Sequence, residues 1–320
     1  MKILITGAAG FIGFHLSKKL LSEKYTVFGI DNLNNYYDVN LKKDRVKILN
    51  KEKSFFFNKI NLSNKNSIDK IIIKNNIKYV VHLAAQAGVR HSIDNPETYF
   101  KSNLEGFFNI LEVSKKNKIK HLIFASTSSV YGNNKNFPLT ESANTDKPLS
   151  FYAATKKSNE VMAYSYSNIY KLPATALRFF TAYGPFGRPD MSLFKFTKSI
   201  LENKKVDFFN SGNHIRDFTY IDDIVQGISN IIKKPSSELI PYNCFNIGSG
   251  KPNKLKLFLS LIESNLGKKA KIRNLPLQLG DVQKTHASVK LLKKYSFYKP
   301  KTNIKKGVKE FINWYKKNKI

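Results

Sequence analysis

One cysteine, Cys244, occurs in 320 residues, so no disulfide can close within the chain, and a reducing, cytoplasmic setting is expected. Long apolar runs are also missing: nothing approaches the ~18 consecutive apolar residues of a membrane-spanning helix. The opening "MKILITGAAGFIG" has a single basic residue before its apolar stretch and glycines that interrupt it at once, which argues against a signal peptide. Acidic residues are few, with 23 Asp and Glu against 54 Lys and Arg, a formal net charge of +31. Such a charge can attract polyanions. The lysines, however, are scattered in pairs (Lys18-Lys19, Lys42-Lys43, Lys204-Lys205, Lys305-Lys306) and form no basic arm. A lysine-rich solvated surface is the plainer account, with neither nucleic acid nor membrane as partner. Arginine is scarce among the basic residues, at six of those 54.

What is present is a globular composition, 42% hydrophobic and 13% aromatic. Strand-like apolar runs at 2–6, 26–30, 54–60, 79–84 and 121–126 alternate with helical patterns. The clearest helix lies at 98–117, where Phe100, Leu104, Phe107, Phe108 and Leu111 recur at 3–4 spacing. Segments 152–170 and 174–180 continue the alternation. Buried strands separated by helices predict right-handed βαβ units, hence an α/β fold with a Rossmann-type doubly wound parallel sheet over residues 1–180. After 181 proline and glycine are more frequent. Helices at 191–203, 254–266 and 304–318 predict a smaller, mostly C-terminal α/β substrate lobe over 181–320, interleaved with the first.

Gly7-Ala8-Ala9-Gly10-Phe11-Ile12-Gly13 lies between the first strand and the first helix. Glycines there permit the tight turn, bring backbone N–H groups to a pyrophosphate, and let helix and strand pack closely. Asp31 closes the second strand, where a carboxylate accepts from a ribose diol and repels a 2′-phosphate, favouring NAD over NADP. Tyr152 and Lys156 stand i, i+4 on one helix face, and an ammonium beside a phenol favours the phenolate as a base. Tyr131–Lys135, Tyr295–Lys299 and Tyr315–Lys319 share that spacing. Only Tyr152–Lys156 follows the hydroxyl run "ASTSSVYG" (125–132) on a helix flanking the sheet, so location selects it. No metal site is read from the sequence.

Together "GAAGFIG", Asp31, "STSSVYG" and "YAATK" resemble the extended short-chain dehydrogenase/reductase family acting on nucleotide sugars, over nearly the whole chain. The stretches "DNLNNYYD" (31–38), "HLAAQAGVRHSIDNP" (82–96), "RFFTAYGPFGRPDM" (178–191) and "RDFTYIDDI" (216–224) are most similar to its UDP-glucuronate 4-epimerases. The resemblance implies that Gly7, Gly10, Phe11, Ile12 and Gly13 hold the pyrophosphate of NAD, with Asp31 and Asn32 at the adenosine ribose. It implies Asn61 and Leu62 at the adenine, although the family more often has Asp-Leu there, and Leu83, Ala85, Asn103 and Phe180 along the cofactor channel. Tyr152 would be the base, Lys156 would hold the nicotinamide ribose, and Thr127 would bond the reacting sugar oxygen. A homodimer built through 98–117 and 152–170 is also implied.

Four of the six arginines, Arg90, Arg178, Arg188 and Arg216, fall in these stretches, and a planar fork that grips phosphate or carboxylate is what lysine cannot imitate. Arg216 is read as a diphosphate ligand, with Arg188 and Arg90 near a sugar carboxylate. Arg178, at a strand start, is equally open to a structural ion pair. Arg45 and Arg273 have no assigned role. Related decarboxylases carry a glutamate in "TSEVYG" and related 4,6-dehydratases an acidic pair in "TDEVYG", whereas Ser128 and Ser129 are neutral here. Thr181 also fits the epimerase pattern. The expected activity is therefore 4-epimerisation of a UDP-uronic acid through a 4-keto sugar, with NAD regenerated in each cycle. The alternatives are a UDP-glucuronate decarboxylase, a 4-epimerase of a neutral or N-acetylated UDP-hexose, and a non-catalytic NAD-binding protein with a basic interaction surface.

Overall fold

The computed structural model describes residues 1–318, so Lys319 of the last Tyr–Lys pair lies outside the described residues. Six strands arise from the runs named above: β1 (Lys2–Thr6), β2 (Thr26–Asp31), β3 (Phe55–Lys59), β4 (Tyr79–His82), β5 (His121–Thr127) and β6 (Ala174–Phe179). Three short pairings build the outer part: β7 (Thr181–Tyr183) with β10 (Phe218–Tyr220), β8 (Lys205–Phe209) with β13 (Lys271–Leu275), and β9 (Ile215–Arg216) with β12 (Asn253–Lys254). The remaining strand, β11 (Tyr242–Ile247), returns to the main sheet beside β6.

The seven-stranded sheet has the order β11-β6-β5-β4-β1-β2-β3 and is parallel throughout. It is the doubly wound Rossmann-type sheet that the alternation predicts. Ile3, Leu4 and Ile5 of β1 are fully buried, as a central strand covered on both faces requires. Chain order reverses between β1 and β4, where Thr6 stands opposite His82. Their carboxyl ends therefore open into the crevice where such sheets bind ligands.

The helices at Phe151–Tyr170, Ser192–Leu201, Leu255–Leu266 and Ile304–Asn318 match expectation within a few residues. The helix expected at 98–117 does not run unbroken. A short helix at Pro96–Tyr99 passes into a π-helical turn at Phe100–Glu105, and the α-helix resumes at Gly106–Lys116. This wider turn carries Asn103 inward, where its amide accepts from Gln86 N (2.8 Å) and donates to Gln86 O (3.0 Å) and Thr155 Oγ1 (3.1 Å). Phe107 and Leu111 are buried, but Phe100 and Phe108 are exposed, so only part of the apolar stripe faces the core.

Two histidines are locked into the sheet in neutral form. His82 accepts from or donates to Thr6 Oγ1 through Nδ1 (2.8 Å) and His121 lies between Ile232 O (3.0 Å) and Thr175 Oγ1 (2.8 Å). Burial drops their pKa to about 3 and about 4, from 6.5. Below pH 6.5 the unfolded chain takes up protons that the folded one refuses, so stability falls as pH drops toward 4. At pH 5.5 the loss is about 1.4 kcal/mol per histidine, about 3 kcal/mol for the pair. Buried Asp31 and half-buried Glu141, whose pKa desolvation raises, act in the opposite sense. Urea midpoints at pH 7.5 and 5.5 test this, and an unchanged midpoint in His121→Gln relative to wild type at both pH values contradicts it.

Candidate active site

The crevice encloses a cavity of about 380 Å³ along the carboxyl ends of the strands. At one end lies the glycine turn. Gly7 has φ +73°, open to glycine at little cost, and a Cβ on Gly13 would collide with the Gly7 carbonyl. The helix Phe11–Ser22 thus starts directly against β1. Gly10 supplies no side-chain cap and the first turn has no acidic residue, so the leading N–H groups face the cavity as a free positive helix end. Asp31 accepts from Ala9 N (3.1 Å) and Leu33 N (2.8 Å), and burial pushes its carboxyl upward against the pull of these donors and of Lys42. Unfilled N–H donors at one point and a carboxylate at the end of β2 fit a dinucleotide: the turn for its pyrophosphate, Asp31 for its ribose.

Asn32, Asn61, Leu62, Leu83, Ala85 and Phe180 line the same cavity. Asn32 and Asn61 spend their side-chain oxygens on the backbone N–H of Asn34 and Ser63. Asn103 does not line it. Its amide is consumed by Gln86 and Thr155 behind the wall, so it shapes the loop after β4 and the cofactor-channel reading is corrected to that.

At the other end, Thr127 finishes β5 and caps the 3-10 turn Ser128–Tyr131 by accepting from Ser129 N (3.2 Å). Its hydroxyl donates to Ser129 Oγ (3.2 Å). Ser150 caps the helix Phe151–Tyr170 by accepting from Ala153 N, which sets Tyr152 and Lys156 on the cavity wall. The Tyr152 ring meets Tyr99 edge-on at 6.0 Å. Burial raises the Tyr152 phenol, with Thr127 and Arg188 drawing it back, and it lowers Lys156 to about 8. Desolvation, not the ammonium, is thus the leading influence on Tyr152. Lys156 Nζ donates to Ala125 O (3.0 Å), which ties this helix to β5.

Ser128, Ser129, Thr181 and Arg188 line the cavity beside Tyr152. Arg188 Nε donates to Asp190 Oδ1 (3.0 Å) and its Nη2 closes a second bond to Oδ2. Tyr36, also on the wall, donates to the same Asp190 oxygen (3.2 Å). Arg90 and Arg216 are absent from this wall. They converge on Asp281, Arg216 at 2.8 Å and Arg90 at 3.8 Å, with His214 at 3.4 Å. Arg90 therefore stands with Arg216 at Asp281 and not beside Arg188. Arg178 is a structural ion pair: both it and Glu160 are buried, bonded at 2.9 and 2.7 Å, and it also donates to Tyr131 and Glu141 O. Arg273 pairs with Asp207 at the surface. Tyr36, Lys42, Gln86, Asp190 and Met191 have no role in the sequence reading, although all but Lys42 lie in the stretches quoted for the resemblance. Among the described residues no His, Cys, Asp and Glu group is placed to hold a metal.

The comparisons agree with this geometry. Residues 3–248 match the model of the NAD dependent epimerase/dehydratase family. Protein CapI of Staphylococcus aureus is 51% identical, with 98% of each chain covered. A UDP-glucuronate 4-epimerase of Thermodesulfobacterium geofontis is 43% identical over 98% of this chain and 96% of that protein. UDP-glucuronic acid 4-epimerase from Bacillus cereus, solved in complex with UDP-glucuronic acid and NAD, superposes with a TM-score of 0.93 at 33% identity, covering 99% of this chain and 100% of that one. With the glycine turn, the parallel sheet and the Tyr152–Lys156 helix in one crevice, the chain belongs to the NAD dependent epimerase/dehydratase family.

Proposed function

We propose that the protein interconverts UDP-glucuronate and UDP-galacturonate by epimerisation at C4, through a transient 4-keto sugar. The observation that carries this reading is the wall beside Tyr152: four neutral hydroxyls, on Thr127, Ser128, Ser129 and Thr181, with one guanidinium, Arg188. A carboxylic acid at 128 or 129 could protonate or deprotonate the sugar at C5 or C6. Hydroxyls only orient.

NAD, held by the glycine turn and Asp31, supplies the site's acceptor and donor of hydride. Tyr152 takes the proton of the 4-hydroxyl and later returns it. Its burial makes the phenolate costly, and the hydrogen bond from Thr127 and the charge of Arg188 offset part of that cost. Lys156, with its pKa near 8, keeps its charge through neutral pH. Thr127, fixed by Ser129, bonds the reacting oxygen on its other side. Arg188 holds the carboxylate by a two-point contact that keeps C–C cleavage geometrically unfavourable. Arg216 and Arg90 stand ready for the diphosphate.

Exposed Phe100, Phe108, Val161 and Tyr164 lie on the segment around Phe100–Lys116 and on the helix Phe151–Tyr170. They support a homodimer through these helices, so light scattering should give twice the 36.6 kDa chain mass. The activity is tested by following sugar anomeric signals by NMR after mixing purified protein with UDP-glucuronate alone. Growth of UDP-galacturonate to a constant ratio with no pentose is expected. UDP-xylose or a 4-keto pentose would favour the decarboxylase reading, and no turnover with NAD supplied would overturn the uronate reading.

A further inference from the structure

Arg45 has no part in the chemistry above, yet its side chain is fully buried and none of its hydrogen-bond partners among the described residues is a carboxylate. Burying a cation with no hydrogen-bonded counter-ion is costly, and Asp31 acts on it only through space, so its bonds have to achieve something a neutral side chain cannot. Its fork joins three segments that are remote in sequence. Nη1 donates to Ala9 O within the glycine turn (2.7 Å) and to the Tyr37 hydroxyl (2.7 Å). Nη2 donates to Phe186 O (2.7 Å), two residues before Arg188, at a backbone position with φ +55°. From the other side the Tyr36 hydroxyl holds Asp190, the partner of Arg188. Two adjacent tyrosines therefore tie the loop after β2 to the turn that presents Arg188, Tyr37 through Arg45 and Tyr36 through Asp190.

We infer that Arg45 is a positioning residue that locks the Arg188 turn to the glycine turn and so fixes the guanidinium that receives the substrate carboxylate. The consequence for the substrate rests on the uronate reading above. A lysine at 45 would keep the charge, but one ammonium cannot present the planar pair of donor nitrogens that reaches Ala9 and Phe186 at once. That fits the use of a scarce arginine at a site outside the substrate wall.

Trp314, the single tryptophan, has its ring 4.8 Å from that of Phe186, so its emission reports on this turn. Calorimetric binding of UDP-glucuronate and UDP-glucose to NAD-loaded wild type, Arg45→Met and Arg45→Lys gives the test. Expected in both variants is a shift of Trp314 emission and about tenfold weaker UDP-glucuronate binding, with UDP-glucose changed by no more than about twofold. Tyr37→Phe removes one partner of Arg45 and should move both readouts less and in the same direction; it decides the matter if Arg45→Met does not fold. A lower melting temperature, with Trp314 emission unmoved and both sugars unaffected or equally weakened, reduces Arg45 to a structural residue and overturns the inference. If wild type shows no preference for the uronate, the substrate reading fails instead, and the emission shift alone decides the positioning role.

Discussion

Tyr152→Phe should lower kcat for UDP-glucuronate about a thousandfold, leaving KM and the melting temperature nearly unchanged. The ring is retained, so its edge-on packing with Tyr99 survives, and so does the helix cap at Ser150 two residues before it. What disappears is the one oxygen that lines the cavity between Thr127 and Lys156 and can exchange a proton. Lys156 cannot substitute, because its Nζ is committed to Ala125 O. Thr127 is an alcohol, far too weak an acid to act as a base at neutral pH. In wild type, activity should fall as Lys156 loses its charge above about 8, whereas the phenol, which burial raises, stays protonated in the resting enzyme over that range. The phenylalanine variant should keep its residual rate flat across that range. Steady-state rates by NMR from pH 6 to 9 provide the measurement, and a variant within tenfold of wild type would remove Tyr152 from its proposed role.

The parts of this site that could be read in the sequence are those that local chain geometry dictates. A glycine turn after a buried strand, and a carboxylate at the end of the next, need only neighbours in sequence to be recognised. Tyr152 and Lys156 needed more, since three other pairs share their spacing; the preceding strand decided between them. Contacts that close over long separations left no such trace. Arg45 meets Phe186 across 141 positions and Tyr36 meets Asp190 across 154, and nothing in either segment alone announces its partner. That Arg90 stands with Arg216 left no trace for the same reason, because Asp281, which draws the two together, lies far along the chain. The 98–117 pattern misled in another way. An apolar stripe marks a face suited to burial without saying against what, and Phe100 and Phe108 are exposed in this chain. The π-helical turn that shifts the register exists because Asn103 satisfies buried backbone groups at Gln86, a tertiary demand with no periodicity.

Replacing Arg188 should separate uronate binding from nucleotide binding. Arg188→Met alone would leave Asp190 half-buried, charged and without its main partner, so the informative variant is Arg188→Met with Asp190→Asn. Asp190 is now held below the usual carboxylate range by Arg188, a preference that has no purpose once the guanidinium is gone. In the double variant Tyr36 keeps an oxygen to donate to, which preserves the wall. UDP-glucuronate should then bind about a hundredfold to a thousandfold more weakly, the usual cost of a desolvated charge left unpaired. UDP-glucose, with no carboxylate, should lose little, because Arg90 and Arg216 stand apart at Asp281 and are untouched. The same variant tests how the carboxylate is protected. A uronate whose C6 group is no longer gripped can rotate so that its C–C bond lies perpendicular to the 4-keto plane, the orientation in which CO₂ departs. A pentose signal should therefore accompany the slow epimerisation that remains. Equal weakening of both sugars would mean that Arg188 serves the fold of the 185–190 turn and not the carboxylate. Loss of uronate binding without any pentose would assign protection of the C–C bond to the hydroxyls of Ser128, Ser129 and Thr181 instead.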